Sequence, residues 1–311
     1  MSSESVLPFD IIAQIIDNVG ENEDTDLLKE LALVSHSLNQ ICTKHLFATV
    51  ELHDADPGRH IASSKKGFVK LLKSRPDVVK YIRKLTYNAG NCYRSIEDPL
   101  LSPILPNLLR TISRLNCLTI TTSSFPDWNS LDSYLTSAFL YLMHLPTVNQ
   151  IDLSSIQNFP PSSLTLSVNL HRLDILDLRR FDTFEDNDGS SEIVVQSEMP
   201  KLREFHTSSS TLLTTKLLHA KRRDGRRAFN FVDLRRLSIS TIRHEDEQNI
   251  RYMLQNAKLL DKLHLSFDLG WNLVGLRDIL SPTERTLKVL DLTVFFSDYS
   301  VPLLHEGQRI S

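Results

Sequence analysis

One short pattern recurs eight times along this 311-residue chain: an apolar residue, two others, then two apolar residues separated by one, the last of them replaced by Thr in the fifth copy. It reads Ile82-Leu85-Tyr87, Leu115-Leu118-Ile120, Val148-Ile151-Leu153, Leu173-Leu176-Leu178, Leu202-Phe205-Thr207, Leu234-Leu237-Ile239, Leu260-Leu263-Leu265 and Leu287-Leu290-Leu292. The central positions are 33, 33, 25, 29, 32, 26 and 27 residues apart. Leucine is common, so one copy means little, but eight at near-regular spacing mean an array. Two apolar residues one position apart fit a short strand with one buried face, and the residue three earlier packs the turn into it. Several linkers carry apolar residues at helical spacing: Phe68-Leu71-Leu72, Leu105-Leu108-Leu109-Ile112, Leu131-Leu135-Phe139-Leu142, Ile250-Met253-Leu254-Ala257 and Leu273-Leu276-Ile279-Leu280. Strand, helix and parallel strand, repeated, predict an α/β fold: a right-handed solenoid with a curved parallel sheet.

The residues that alternate with the apolar ones point out of the sheet. They are Thr119, Gln150, Asp152, Asp177, Arg179, Glu204, His206, Arg236, Lys262, His264 and Asp291. Singly, each reads as a solvated sheet residue. As a set they are the candidate target-binding surface, because solenoids bind along their concave side. The spacing resembles that of leucine-rich repeats. The asparagine usual after the strand in regular members is missing, which implies an irregular solenoid over residues 56–311.

Ahead of the array, LPFDIIAQII (7–16), LLKELALVS (27–35) and LNQICTKHLFATVEL (38–52) read as three amphipathic helical segments within residues 1–55. Pro8 suits a first helical position and Gly20 a stop; Asp24 or Asp26, and then Ser35, suit caps. The second segment is apolar on most of its circumference, so it must bury more than one face, and some fifty residues hide only part of their apolar surface alone. The order Leu7-Pro8-x-Asp10-Ile11-Ile12, Leu27-Leu28, Leu31-x-Leu33-Val34-Ser35, Cys42 and Leu46-Phe47 resembles an F-box, especially those of filamentous fungi in which a leucine-rich repeat region follows. That resemblance implies a three-helix motif docking on the Skp-type adaptor, and through it a cullin, of an SCF-type ubiquitin ligase. It makes Leu7, Pro8, Ile11, Ile12, Leu27, Leu28, Leu31, Val34, Leu46 and Phe47 the candidate docking and motif-core positions. Leu38 stands where the family commonly has a bulky aromatic, and His36 where it often has a basic residue.

Other signals point away from catalysis. Cys42, Cys92 and Cys117 form no Cys-x-x-Cys pair, which speaks against a disulfide framework or zinc site. Phosphate-cradling glycine loops and a Gly-x-Ser-x-Gly elbow are absent from the sequence, and His244-Glu245-Asp246-Glu247 lacks the second histidine of a zinc-protease helix. Around Asp186 and Asp188 a calcium loop fails, because Phe184 and Val195 would occupy its first and twelfth positions. Net charge is −3, without an overall basic bias, although residues 1–30 hold eight acids against Lys29 and residues 58–84 nine bases against Asp77. The basic run KRRDGRR (221–227) reads as a solvated loop, with nucleic-acid binding over 221–236 as a rival. Neither a basic start with a long apolar run nor ~18 uninterrupted apolar residues occurs, so a cytoplasmic or nuclear protein is expected, with no membrane partner. The last strand comes close to the final residue without an evident helical cap, so the array reads as one that continues further. The expectation is a non-enzymatic substrate-recognition adaptor without cofactors. The alternative is a repeat scaffold whose head is an N-terminal cap.

Overall fold

A computed structural model describes residues 8–22, 24–53, 64–89, 104–122, 127–177, 199–208, 214–215, 217–218, 220, 227–242, 246–268 and 276–295. Three helices open the chain: α1 (Phe9–Glu21), α2 (Thr25–Val34) and α3 (His36–Leu46). Asp24 caps α2 by accepting from the Leu27 N–H at 3.1 Å, and Ser35 caps α3 by accepting from the Leu38 N–H at 3.2 Å. Gly20 does not end α1, which runs on through Glu21. A Cβ there would collide with the imidazole of His45 on α3, so glycine is the residue that lets His45 come close. The third segment is helical only to Leu46. β-branched Thr49 and Val50 then open a strand, β1 (Thr49–Leu52), that pairs with the array, so the sheet begins inside the stretch read as head.

Among the described residues, nine parallel strands form one open sheet in chain order: β1, β2 (Lys84–Asn88), β3 (Cys117–Thr121), β4 (Gln150–Ser154), β5 (Arg172–Leu176), β6 (Glu204–Ser208), β7 (Arg236–Ile242), β8 (Lys262–Asp268) and β9 (Val289–Phe295). Linkers supply α4 (Lys65–Ser74), α5 (Ile104–Leu109), α6 (Ser133–Met143), α7 (Glu247–Asn256) and α8 (Leu276–Leu280). Two ladders of inward side chains run across the sheet. One aligns Val50, Leu85, Leu118, Ile151, Leu173, Phe205, Leu237, Leu263 and Leu290; the other aligns Leu52, Tyr87, Ile120, Leu153, Ile175, Thr207, Ile239, Leu265 and Leu292. From β1 to β8 their apolar members share one core with Phe68, Leu72, Leu109, Phe139, Leu142, Ile250, Met253, Leu254 and Ile279 of the helices, whereas Leu290 and Leu292 on β9 are 42% and 44% exposed. Each fully buried Leu or Ile contributes about 1.5–3 kcal/mol.

The step into each strand repeats as well. The carbonyls of Ala48, Arg83, Asn116, Asn149, His171, Arg203, Arg235 and Asp261 each accept two successive N–H groups from the start of the next strand. A backbone device of this kind spaces the strands without a particular side chain.

In seven of the eight copies the register follows the sequence pattern. The fourth differs. HRLDILDL (171–178) follows Leu170, so two overlapping patterns stand three residues apart, and the chain uses Leu170-Leu173-Ile175 instead of Leu173-Leu176-Leu178. Leu170, Leu173 and Ile175 are buried, whereas Leu176 is 43% exposed. Asp177 leaves the strand in the left-handed region (φ 52°), where Asp is among the better-tolerated residues, and its N–H donates to the Ser208 carbonyl at 2.9 Å. The shorter linker before β5 holds a 3-10 turn, Pro161–Leu166, instead of an α-helix. His144 bonds to the Ser163 carbonyl at 2.8 Å, and the Ser167 hydroxyl donates to the Met143 carbonyl at 2.9 Å, tying that turn to α6.

Candidate docking surfaces

Two surfaces carry the residues that the sequence singles out. On the head, Ile16, Leu28 and Cys42 are buried, with Ile12, Val19, Leu31, Ala32, Leu38, Ile41 and Leu46 packed half-buried around them. Leu38 therefore fills part of this small core. Among the expected positions, Leu28, Ile12, Leu31 and Leu46 lie in that core, and Phe47 packs against the core of the array. Pro8, Ile11, Leu27 and Val34 are exposed, while Leu7 lies outside the described residues. Exposed with them are Phe9, Ile15 and Leu33, the last at 87% and Val34 at 70%. Pro8, Ile11 and Ile15 follow one another at i, i+3 and i+7 along α1, and Leu27, Leu31 and Val34 at i, i+4 and i+7 along α2. The signal for Phe9 and Ile15 was an α1 whose apolar residues cover more of its circumference than one packed face requires.

The head is held in place by charge as well as packing. Asp17 on α1 lies 2.7 Å from the Lys44 ammonium and 2.8 Å from His45 Nε2. Hydrogen bonds from Lys44 and then His45 hold its carboxyl below the usual carboxylate range, against a small opposing effect of burial.

The second surface is the sheet face opposite the helices. There Lys84, Cys117, Gln150, Arg172, Glu204, Arg236 and Lys262 align across neighbouring strands, and beside them Thr86, Thr119, Asp152, Asp174, His206, Ser238, His264 and Asp291. Arg172 is gripped by Asp174, with Nη2 to Oδ2 at 2.8 Å and Nε to Oδ2 at 3.2 Å. Glu204 stands 3.8 Å from Arg172 Nη1 and 3.1 Å from Arg236 Nη1, and His206 Nδ1 lies 3.7 Å from Asp174. Asp152 accepts from the Thr119 hydroxyl at 3.0 Å and the Gln150 amide at 3.1 Å. Further along, His264 meets Asp291 at 2.9 Å.

Burial, and then the Asp174 charge on the next strand, raise the Asp152 carboxyl above its ordinary range, against the lowering effect of the Gln150 and Thr119 bonds. Cys117, whose Sγ is 4.0 Å from Asp152, is pushed up by burial and by that carboxylate, so its thiol is a weak nucleophile at neutral pH. Among the described residues, no group of three or more His, Cys, Asp or Glu side chains is arranged to hold a metal ion. What the face offers is a preformed lattice of charged and hydroxyl groups.

Of the expected target-binding residues, Thr119, Gln150, Asp152, Glu204, His206, Arg236, Lys262, His264 and Asp291 stand on this face. Asp177 does not: it sits in the bend after β5, because the register there is three residues earlier than the spacing suggested. Arg179 lies outside the described residues, as does the acidic stretch 181–192. Arg172 and Asp174, at the centre of the lattice, were missed through the same slip. The signal was present in the overlapping Leu170-Leu173-Ile175 pattern. Of the basic run, 221–226 is outside the described residues, and the Arg227 guanidinium lies 4.4 Å from the centroid of the Tyr252 ring. Among the described residues, no helix is long and apolar enough to cross a membrane. No family model matches the chain, and no curated protein is significantly similar to it.

Proposed function

We propose that this chain is a substrate-recognition adaptor of an SCF-type ubiquitin ligase. In this reading the three helices are an F-box-like motif that docks on a Skp-type adaptor, and through it a cullin. The array is an irregular leucine-rich-repeat solenoid whose polar sheet face holds a target protein. The observation that carries the reading is the exposure of Phe9, Ile11, Ile15, Leu27, Leu33 and Val34 on a head whose own core, among the described residues, closes over Ile16, Leu28 and Cys42. Six exposed large apolar side chains on so short a stretch are what an interaction site would use. They lie on the helices that carry the F-box-like sequence order. Ubiquitin transfer would belong to other subunits, and this chain's part would be to hold two partners.

A repeat scaffold capped by its own N-terminal helices is the second reading. The contact of α3 with the 3-10 turn Pro76–Tyr81, and the passage of the same segment into β1, favour it. Affinity purification of the full chain from native extract separates the two. Under the adaptor reading a Skp-type protein and a cullin co-purify, and Ile11→Asp, which charges an exposed side chain, removes both without loss of folded protein. Ile12→Asp is a poorer probe because Ile12 lies in the head's own core. Capture that is absent, or indifferent to Ile11→Asp, leaves the cap.

A further inference from the structure

Where the head meets the array, a cleft of about 460 Å³ opens between α1, α3 and the turns leading into β2 and β3. Lys80, Arg83 and Arg114 line it from the array, and Asp17, Glu21 and Lys44 from the head. Its charges do not balance. Asp17 is taken up by Lys44 and His45. Among the described residues, no carboxylate lies within salt-bridge distance of Lys80, Arg83 or Arg114. Asp77 influences Lys80 only at longer range, being hydrogen-bonded to Arg75 at 3.2 Å. Glu21 is the one wall carboxylate left over, facing three cations.

Two of the cations, Arg83 and Lys80, are also held. Arg83 Nη1 donates to the Lys80 carbonyl at 2.8 Å and the Ile82 carbonyl at 3.2 Å, which fixes the guanidinium at the mouth of the cleft. The Lys80 ammonium is 4.9 Å from the centroid of the Tyr81 ring. Burial and the proximity of Arg114 both make the charge on Arg83 harder to keep. Two guanidinium groups and an ammonium converging without neutralisation call for an anion. Guanidinium forks match the oxygens of phosphate, and a phosphate monoester carries close to two negative charges at neutral pH. A single carboxylate would leave more of the positive charge uncompensated.

We propose that this cleft is a binding site for a phosphate group, carried by a small molecule or by a phosphorylated side chain, with Arg83, Arg114 and Lys80 as its ligands. The site is independent of the adaptor reading, because binding is read on the isolated full chain. The test titrates inorganic phosphate against chloride at matched ionic strength, following melting temperature and phosphorus NMR line width. A serine-phosphorylated hexapeptide and its unphosphorylated copy form the second arm.

Saturable phosphate binding is expected. Arg114→Gln, on an exposed side chain, and Lys80→Gln should each weaken it about tenfold or more. Glu21→Gln should tighten it by removing the competing carboxylate, and Lys70→Gln, on α4 outside the cleft, should leave it unchanged. Melting in chloride alone confirms that each variant folds. Tighter binding of the phosphopeptide than of free phosphate identifies a phosphoprotein as the source, and the reverse a small molecule. No response to phosphate beyond that to chloride, or equal binding by wild type and Arg114→Gln, overturns the proposal.

Discussion

Among the described residues, Ile16, Leu28 and Cys42 are the buried apolar core of the head, whereas every strand from β1 to β8 contributes at least one fully buried apolar residue to the array. The array is stabilised by accumulation: each strand adds ladder hydrogen bonds and apolar area against its neighbours, as in repeat architectures generally. The head depends on a few contacts. Two helix caps, a glycine that admits a histidine ring and the Asp17 cluster carry much of its definition. Elements with few buried contacts open at lower cost than those inside a large core. The contrast also divides the work. The array presents a polar sheet face, and the head leaves Phe9, Ile11, Ile15, Leu27, Leu33 and Val34 exposed.

The largest expected effect tests the array side of this contrast. Leu237→Asp places a charge among fully buried ladder residues and should cost upwards of about 4 kcal/mol, a large share of the stability of any domain. Loss of soluble protein or of cooperative melting is the expected readout. Leu176→Asp should cost below about 1 kcal/mol, because Leu176 is exposed. Equal damage from both would restore the later register for β5.

That pair of substitutions marks where sequence and structure part. Six strands were legible because their apolar pattern occurs in one frame only; β9 also offers Val289-Leu292-Val294, but that frame stands two residues on and leaves the same side chains on the same face. In β5 two frames overlap, and local apolarity is indifferent between them. The choice is made by pairing with Ile151 and Leu153 on one side and Phe205 and Thr207 on the other, which is not a local property. β1 was hidden for another reason. Phe47-Val50-Leu52 has the array's own spacing, but it follows Leu46 so closely that it extends the helical pattern of α3. In the head, caps at Asp24 and Ser35 were legible because they are local hydrogen bonds between residues three apart. Which apolar residues stay exposed was not, since exposure depends on how three helices fold over one another.

A middling effect is expected from Gly20→Ala on the head side. The added methyl meets the His45 ring and drives it from Asp17, so the gain in helix propensity, under about 1 kcal/mol, is outweighed by overpacking of about 1–3 kcal/mol. Hydrogen exchange should show faster opening of α1 and α3 with β2–β8 unchanged. Faster exchange throughout would mean that head and array unfold as one unit and that the contrast between them is false.

Smaller effects separate the two regions by pH. The Asp17 carboxyl is lowered in the folded state, so its contribution is present above the ordinary carboxylate range and is lost as pH falls below it through the lower folded value; solvent exposure makes it modest. Asp152 is raised, so its ionised form opposes folding at neutral pH, and that opposition is relieved as pH falls through its folded value. Asp17→Asn should therefore flatten the acid loss of the head, read from exchange in α1. Asp152→Asn should raise the array's melting temperature at neutral pH by below about 2 °C. A lower melting temperature for Asp152→Asn would show that the bonds from Thr119 and Gln150 outweigh the Asp174 repulsion.

The smallest effect on stability is expected where the functional effect is largest. Leu33 and Val34 lie at the end of α2 with most of their surface in water, so Leu33→Ser with Val34→Ser removes almost no buried area. Melting should move by no more than about 0.5 kcal/mol in free energy, as for ordinary surface changes. If the open face of the head is a docking surface, the same double variant should lose the co-purifying Skp-type protein, because apolar area buried on association contributes about 25 cal/mol per Å². The reciprocal variant Leu28→Ala should lose stability first and capture only as a consequence, since Leu28 is inside the head. Capture that persists in the Leu33→Ser, Val34→Ser protein would take the outer end of α2 out of the interface and leave Pro8, Phe9, Ile11, Ile15 and Leu27 as the remaining contacts. Capture that fails in Leu28→Ala at full stability would mean that Leu28 turns outward on binding, and that the head's small core is rebuilt by its partner.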